Sequence, residues 1–231
     1  MITRVRNYSK KEPSKDAHKI YVICEGSETE HNYFEFFKGL SSNLQIIDIP
    51  SEDGKTDPLK LKEWTETHLL NESPDYRINY LEGDTIWYVI DTDSWEKEGK
   101  ITPLRAFCEK LNDEELKKYD EVKSYPAWQV AQSNPCFEIW LYYHFYTSKP
   151  NDEDVEKSDN FKQFVSNRIQ GGFDNHRDPA RLGDAITNAF ANFSKDEEGK
   201  LQIYSTEVYI LGQEIMKFIK KDLDKLRNKL N

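Results

Sequence analysis

The strongest constraint on the fold is a short apolar segment, residues 20–24, that stops abruptly at Glu25 and Gly26. Its residues are β-branched, aromatic or small and do not alternate with polar ones, which predicts a strand buried on both faces, as in a parallel sheet. Glu25 is then expected at the carboxyl end of the strand and Gly26 at a sharp turn. Ser27 and Glu30 have the spacing of a capping box, so a helix is expected to follow.

The same alternation of strands and helices continues to about residue 147. Further strands are predicted at residues 44–50, 85–90 and 128–132, separated by segments of helical periodicity. This pattern predicts an α/β fold with a mainly parallel sheet and helices on both faces, followed by a helical C-terminal extension. The predicted units are a flexible basic arm at residues 1–18, a catalytic domain at 19–147 and the extension at 148–231.

Composition narrows the class of protein. The three cysteines, Cys24, Cys108 and Cys136, are widely spaced in apolar or helical contexts, which is typical of reduced core residues in a cytoplasmic protein. No apolar run is long enough to span a membrane. The net charge of −10 argues against a protein that coats nucleic acid, but allows an enzyme that holds nucleic acid through metal ions.

Acidic residues follow three of the predicted strands. Glu25 ends the first, Asp91 and Asp93 end the strand at 85–90, and Glu138 lies in the first turn of the helix after the strand at 128–132. If these strands are neighbours in a parallel sheet, four carboxylates converge on one edge and repel one another unless a cation is present. Mg²⁺ and Mn²⁺ prefer such oxygen ligands, and bound metals support phosphodiester cleavage.

Other polar residues near these strand ends have two interpretations each. Ser133 and Asn134 either orient a substrate or, with Pro135, cap the next helix. His31 is either a general base or a solvent-facing helix residue. Glu30, with Glu28 beside it, either extends the metal shell or stabilises the helix start.

Three blocks of sequence together resemble a known family. They read CEGSETEHNYF at residues 24–34, DTD at 91–93 and SNPCFEIWL at 133–141. These resemble the signature blocks of the RloB-like proteins, which are similar to the Toprim-containing abortive-infection protein AbiLii. The resemblance covers residues 19–147 well and the C-terminal part only loosely.

The resemblance implies a Toprim-like fold and an Mg²⁺-dependent nuclease that cleaves DNA or RNA as an effector of anti-phage defence. Glu25 corresponds to the Toprim glutamate, and Asp91 and Asp93 to its paired aspartates, which bind Mg²⁺. Glu138 corresponds to the acid of the third block and supports the site, with a role toward a second metal.

The resemblance also implies a separate ATPase partner of the ABC or AAA type, which fits the lack of a phosphate-binding GxxxxGK[ST] loop in this chain. The alternative is a non-catalytic Toprim-like sensor or scaffold for that ATPase. A phosphatase of the haloacid-dehalogenase type would need an aspartate where Glu25 stands. Whether the substrate is DNA or RNA stays open. Whether the protein forms a homo-oligomer stays open as well.

Overall fold

The computed structural model describes residues 10–26, 28–49, 57–71, 74–114, 116–118 and 125–230. The strands are β1 (His18–Cys24), β2 (Leu44–Ile49), β3 (Thr85–Asp91), β4 (Trp128–Asn134) and β5 (Ser205–Thr206). The helices are α1 (Thr29–Glu35), α2 (Pro58–His68), α3 (Ile101–Glu114), α4 (Glu138–Tyr142), α5 (Asp152–Val155), α6 (Phe161–Arg168), α7 (Leu182–Ala191) and α8 (Val208–Leu230).

The strands form one sheet in the order β2-β1-β3-β4-β5. β1 pairs in parallel with β2 and with β3, and β3 pairs in parallel with β4, whereas β5 is antiparallel to β4. The prediction of a mainly parallel sheet is therefore confirmed, and the architecture is consistent with a Toprim-like fold. Because β1, β3 and β4 are adjacent, their carboxyl ends lie side by side at one edge.

Both faces of the sheet are buried, which explains the long apolar runs of β1 and β3. Ile20 and Val22 belong to a hydrophobic cluster on one face, while Tyr21 and Ile23 belong to a second cluster on the other. The first cluster contains residues of α1, α4, α6, α7 and α8, and the second contains residues of α2 and α3. Helices therefore cover both faces, as predicted.

Local signals explain some helix starts and not others. Asp57 caps α2 by accepting the N–H of Leu59 at 2.9 Å, with Pro58 at the first helical position. Helix α1 begins at Thr29, and Glu28 before it makes no side-chain capping bond. The capping box predicted from Ser27 falls on a residue outside the described ranges.

The N-terminal arm is described only from residue 10 onward, so residues 1–9 of the predicted arm lie outside the described part of the chain. Residues 10 and beyond contact the folded body. The N–H of Lys11 donates to the carbonyl of Gly39 at 2.8 Å, and the Lys11 ammonium lies 2.9 Å from the Asp222 carboxylate.

The segment after residue 147 contributes to the same core as the sheet. It supplies β5, which adds a fifth strand beside β4. Its helices share one hydrophobic cluster with β1 and β3. The domain division at residue 147 stays a prediction. The three cysteines are buried and unbridged, as expected. Every helix among the described residues is too short or too polar to cross a lipid bilayer.

Candidate functional site

The acidic residues at the carboxyl ends of β1, β3 and β4 form the candidate site, which we call the acidic edge: Glu25, Glu30, Asp91, Asp93 and Glu138. Glu25 directly follows β1, Asp91 is the last residue of β3, and Glu138 is the first residue of α4, just after β4. The predicted adjacency of these strand ends is confirmed by the sheet order. Glu25 and Asp91 are in direct contact, since the backbone N–H of Asp91 donates to Glu25 Oε2 at 3.0 Å.

Glu25 is held in place by two donors. Besides the Asp91 N–H, the indole N–H of Trp95 donates to Glu25 Oε1 at 2.5 Å. Burial raises the pKa of Glu25 to about 7, although the hydrogen bonds from Trp95 and Asp91 oppose the shift, and the carboxylates of Asp93 and Glu30 add to it. Glu25 is thus a carboxyl group that exchanges its proton near neutral pH.

Gly26 leaves room for the carboxylate of Glu30. A Cβ atom at this position would overlap the carboxylate of Glu30, which folds back over the backbone of Gly26. The chain also bends at Glu25 and Gly26, where the sequence predicts a sharp turn. The absence of a side chain at Gly26 lets Glu30 enter the acidic edge.

Glu30 is the fifth acid of the edge and is 6% exposed. Burial raises its pKa, its own backbone N–H opposes the shift as a hydrogen-bond donor, and Glu138 raises the pKa further. Glu30 therefore stabilises the start of α1 and also faces the other acids. The predicted place of Glu30 in a metal shell stays a prediction.

Asp91 is buried, and its two oxygens face different partners. Its Oδ1 accepts the backbone N–H of Phe137 at 2.7 Å, just before α4. Burial raises the pKa of Asp91 well above its usual range, and the carboxylates of Glu30 and Glu25 raise it further, with Lys162 opposing. A buried acid in this setting favours a proton or a cation beside it.

Asp93 differs from Asp91 because β3 has already ended. Its φ of 31° places it in the left-handed region, which aspartate tolerates better than most residues. The preceding turn is fixed by Thr92, whose hydroxyl donates to the carbonyl of Ser133 at 2.9 Å and accepts from the Gln132 amide at 2.8 Å. Asp93 is exposed while Asp91 is buried, because β3 ends at Asp91 and its extended geometry does not continue to Asp93.

Among the described residues, Lys162 of α6 brings a positive charge to the acidic edge, and sequence reasoning missed it. Its Nζ lies 3.9 Å from Asp91 Oδ2 and 3.8 Å from Glu138 Oε1. Burial lowers the pKa of Lys162, but Glu138 and Asp91 raise it more, so the net shift is upward. A single lysine in a polar helix 24 residues after Glu138 carries no motif, so only the packing of α6 on α4 reveals it.

Ser133 and Asn134 were expected to cap a helix or orient a substrate. The predicted helix cap is wrong, because β4 continues through both residues and α4 begins only at Glu138. The Ser133 hydroxyl is buried and hydrogen-bonded to that of Thr206 at 2.8 Å. The Asn134 amide donates to the carbonyl of Leu201 at 2.7 Å. Their side chains hold the C-terminal segment against β4.

His31 lies on α1 and its ring pairs with the carboxylate of Asp48 on β2. β2 is on the opposite side of β1 from β3. The His31 ring therefore lies against the outer strand β2, and no contact joins it to Asp91 in the described part of the chain. Its role as a general base stays a prediction. His144, in contrast, is a buried core residue, and its ring is hydrogen-bonded to the Tyr33 hydroxyl and to the carbonyl of Trp140.

The donor chemistry of the acidic edge fits Mg²⁺ or Mn²⁺. Asp91 and Glu138 already share one cation, Lys162, and Glu138 Oε2 is buried without a hydrogen-bond partner among the described residues. Within the described ranges, however, no three His, Cys, Asp or Glu side chains are grouped so that they would hold one ion together. Asp91 and Glu138 are thus the pair best placed to share a divalent ion.

The chain was compared with known proteins. The model of the RloB-like protein family matches residues 20–215, a region that contains the whole acidic edge and continues past residue 147 through Lys162. Comparisons with curated proteins and with solved structures found no match.

Proposed function

The chain belongs to the RloB-like protein family, and on this premise we propose that it is a metal-dependent nuclease that acts as an effector of anti-phage defence together with a separate ATPase. The observation that supports the proposal is the surplus of buried negative charge at the acidic edge. Glu25, Glu30 and Asp91 all have raised pKa values, and the main counter-charge among the described residues is Lys162. Groups of buried acids with raised pKa values are typical of sites that bind a cation or transfer a proton.

The proposed roles follow from the contacts. Asp91 and Glu138 would hold the divalent ion, since both already face one cation, while Asp93 and Glu25 lie beside this pair at the acidic edge. Bound Mg²⁺ would supply a Lewis acid for the phosphodiester and lower the pKa of a water molecule. The indole of Trp95 and the N–H of Asp91 fix the orientation of Glu25.

A second candidate function is the non-catalytic sensor or scaffold for the ATPase. It is favoured by one observation: Lys162 already offsets part of the charge on Asp91 and Glu138, so the folded chain has an internal cation for these acids. In that case the acidic edge would need no metal.

A nuclease assay separates the two functions. The wild-type protein and Asp91→Ala are incubated with Mg²⁺ or Mn²⁺ and with DNA or RNA, including tRNA, with and without the partner ATPase. We expect metal-dependent cleavage that falls by on the order of 100-fold or more in Asp91→Ala, because the variant loses a buried charge at the proposed reaction centre. The matched control is Asp113→Ala, an exposed acid on α3, which should keep wild-type activity.

Cleavage that needs both the metal and Asp91 would support the nuclease and identify its polymer. No cleavage by the folded wild-type protein in any combination, despite binding of Mg²⁺, would favour the scaffold.

A further inference from the structure

Lys162 stands over the acidic edge on a firmly anchored helix. Asn160 caps α6 by accepting the N–H of Gln163 at 2.9 Å, and Phe164 is buried with its ring 6.2 Å from that of Tyr142 on α4. The helix is therefore fixed, while the side chain of Lys162 is 59% exposed and extends toward Asp91 and Glu138.

The ammonium group of Lys162 is close to both acids without being hydrogen-bonded to either. Its distances of 3.9 and 3.8 Å exceed those of a charge-assisted hydrogen bond, which lie near 2.8 Å. The interaction is thus electrostatic and non-specific in direction. A partly exposed lysine held in this way moves at little cost, because the flexible side chain has other rotamers that reach solvent.

A divalent ion and Lys162 would compete for the same two carboxylates. An ion placed between Asp91 and Glu138 lies within a few ångströms of the ammonium group and repels it. The displaced ammonium group stays at the rim of the acidic edge, since α6 does not move with it, and it is then free to meet a substrate. A lysine is a common point-charge partner of phosphate oxygens.

We propose that Lys162 is a movable cation of the site: it neutralises Asp91 and Glu138 before the divalent ion enters, and afterwards contacts a backbone phosphate of the nucleic acid. The proposal rests on the proposed function, because it assigns the phosphodiester substrate to the same site. It also explains how a chain of net charge −10 presents a positive group to a polyanion where cleavage would occur.

The test compares Lys162→Met with wild type in two binding experiments. Calorimetric titration with Mn²⁺ alone should show about tenfold tighter binding in Lys162→Met, because a competing positive charge is gone. Fluorescence anisotropy with a cleavage-resistant phosphorothioate oligonucleotide in Mn²⁺ should show about three- to tenfold weaker binding. The logarithmic salt dependence of that binding should lose about one phosphate contact.

The control is Lys157→Met, which removes an exposed lysine of the same segment that pairs with Asp154 at 2.9 Å. It should leave both affinities at their wild-type values. Lys162→Arg keeps the charge, should stay near wild type in both experiments, and serves as the second variant if the methionine variant folds poorly.

Opposite shifts in the two affinities would support the proposal. A Lys162→Met variant that matches Lys157→Met in either experiment would overturn it, as would a wild-type protein that binds no Mn²⁺. Failure of the nuclease function itself would show separately, as absence of cleavage by wild type, because neither binding experiment depends on turnover.

Discussion

The acids at the two ends of the sheet have different surroundings. At the amino-terminal end, Asp84 is fully buried just before β3 and accepts the backbone N–H groups of Lys19 at 3.0 Å and Asn79 at 2.8 Å. The ammonium group of Lys19 lies 3.7 Å from the same carboxylate. Each oxygen of Asp84 therefore has its own donor, supplied by the backbone around it.

Glu214 of α8 repeats this arrangement near the same end. It accepts from the Thr85 hydroxyl at 2.5 Å, from the Trp87 indole at 3.0 Å, and pairs with His18 at 3.0 Å. Three donors from the starts of β1 and β3 meet one carboxylate. Such an acid stabilises the fold because both of its carboxylate oxygens accept hydrogen bonds.

At the acidic edge, at the other end of β1 and β3, acidic groups outnumber the nearby positive groups of the described residues. Several acids there face one another, one lysine lies near 4 Å from two of them, and Glu138 Oε2 has no hydrogen-bond partner among the described residues. The comparison teaches that burial alone does not mark an acid as functional. The distinguishing feature is an excess of negative charge among neighbouring acids, which a cation or a proton would offset.

The largest effect is expected from Asp84→Asn at the amino-terminal end. The amide places an N–H₂ group against a backbone N–H that needs an acceptor, and it removes the charge that faces Lys19. The free energy of unfolding should fall by about 2–3 kcal/mol, measured by urea denaturation. A loss below about 0.5 kcal/mol would show that the two ends do not differ as described.

The same substitution at the other end of β3, Asp91→Asn, should have the opposite sign. The amide oxygen still accepts the N–H of Phe137, while a charge leaves an edge that already has too many. The free energy of unfolding should rise by about 1 kcal/mol at pH 8. Asp113→Asn on the exposed face of α3 is the control and should change it little.

The gain in Asp91→Asn should also depend on pH. The pKa of Asp91 is raised in the folded state, so the folded wild-type protein binds the proton more tightly than the unfolded chain does. The stability that this proton contributes is complete below the unfolded pKa of about 4, and it is lost as the pH rises through the folded pKa. The advantage of Asp91→Asn should therefore shrink between pH 8 and pH 5, and an advantage that grows toward pH 5 would contradict the account.

Much of the sheet and part of the acidic edge follow from local sequence. The apolar segments before Glu25 and Asp91 form β1 and β3, because strands covered on both faces are rich in apolar residues. Asp57 and Pro58 start α2 through contacts within three residues. Signals of this kind act over short distances and are visible in the sequence itself.

The remainder depends on contacts between distant segments. Ser133 and Pro135 have the appearance of a helix start, but pairing of β4 with β5 extends the strand through Asn134. Lys162 reaches Asp91 across 71 positions of the sequence only because α6 packs on α4. Glu30 enters the acidic edge through the space left by Gly26, a steric relation that residue type alone does not express.

Binding of Mn²⁺ to the metal-free protein, measured by calorimetric titration of wild type, Asp91→Asn and Asp84→Asn, tests the central claim most directly. The account predicts saturable binding to wild type, retained in Asp84→Asn, whose carboxylate already has its donors, and lost or weakened by at least about tenfold in Asp91→Asn. A wild-type protein that binds no Mn²⁺, or an Asp91→Asn variant that binds it as tightly as wild type, would contradict the claim that the acidic edge is a divalent cation site.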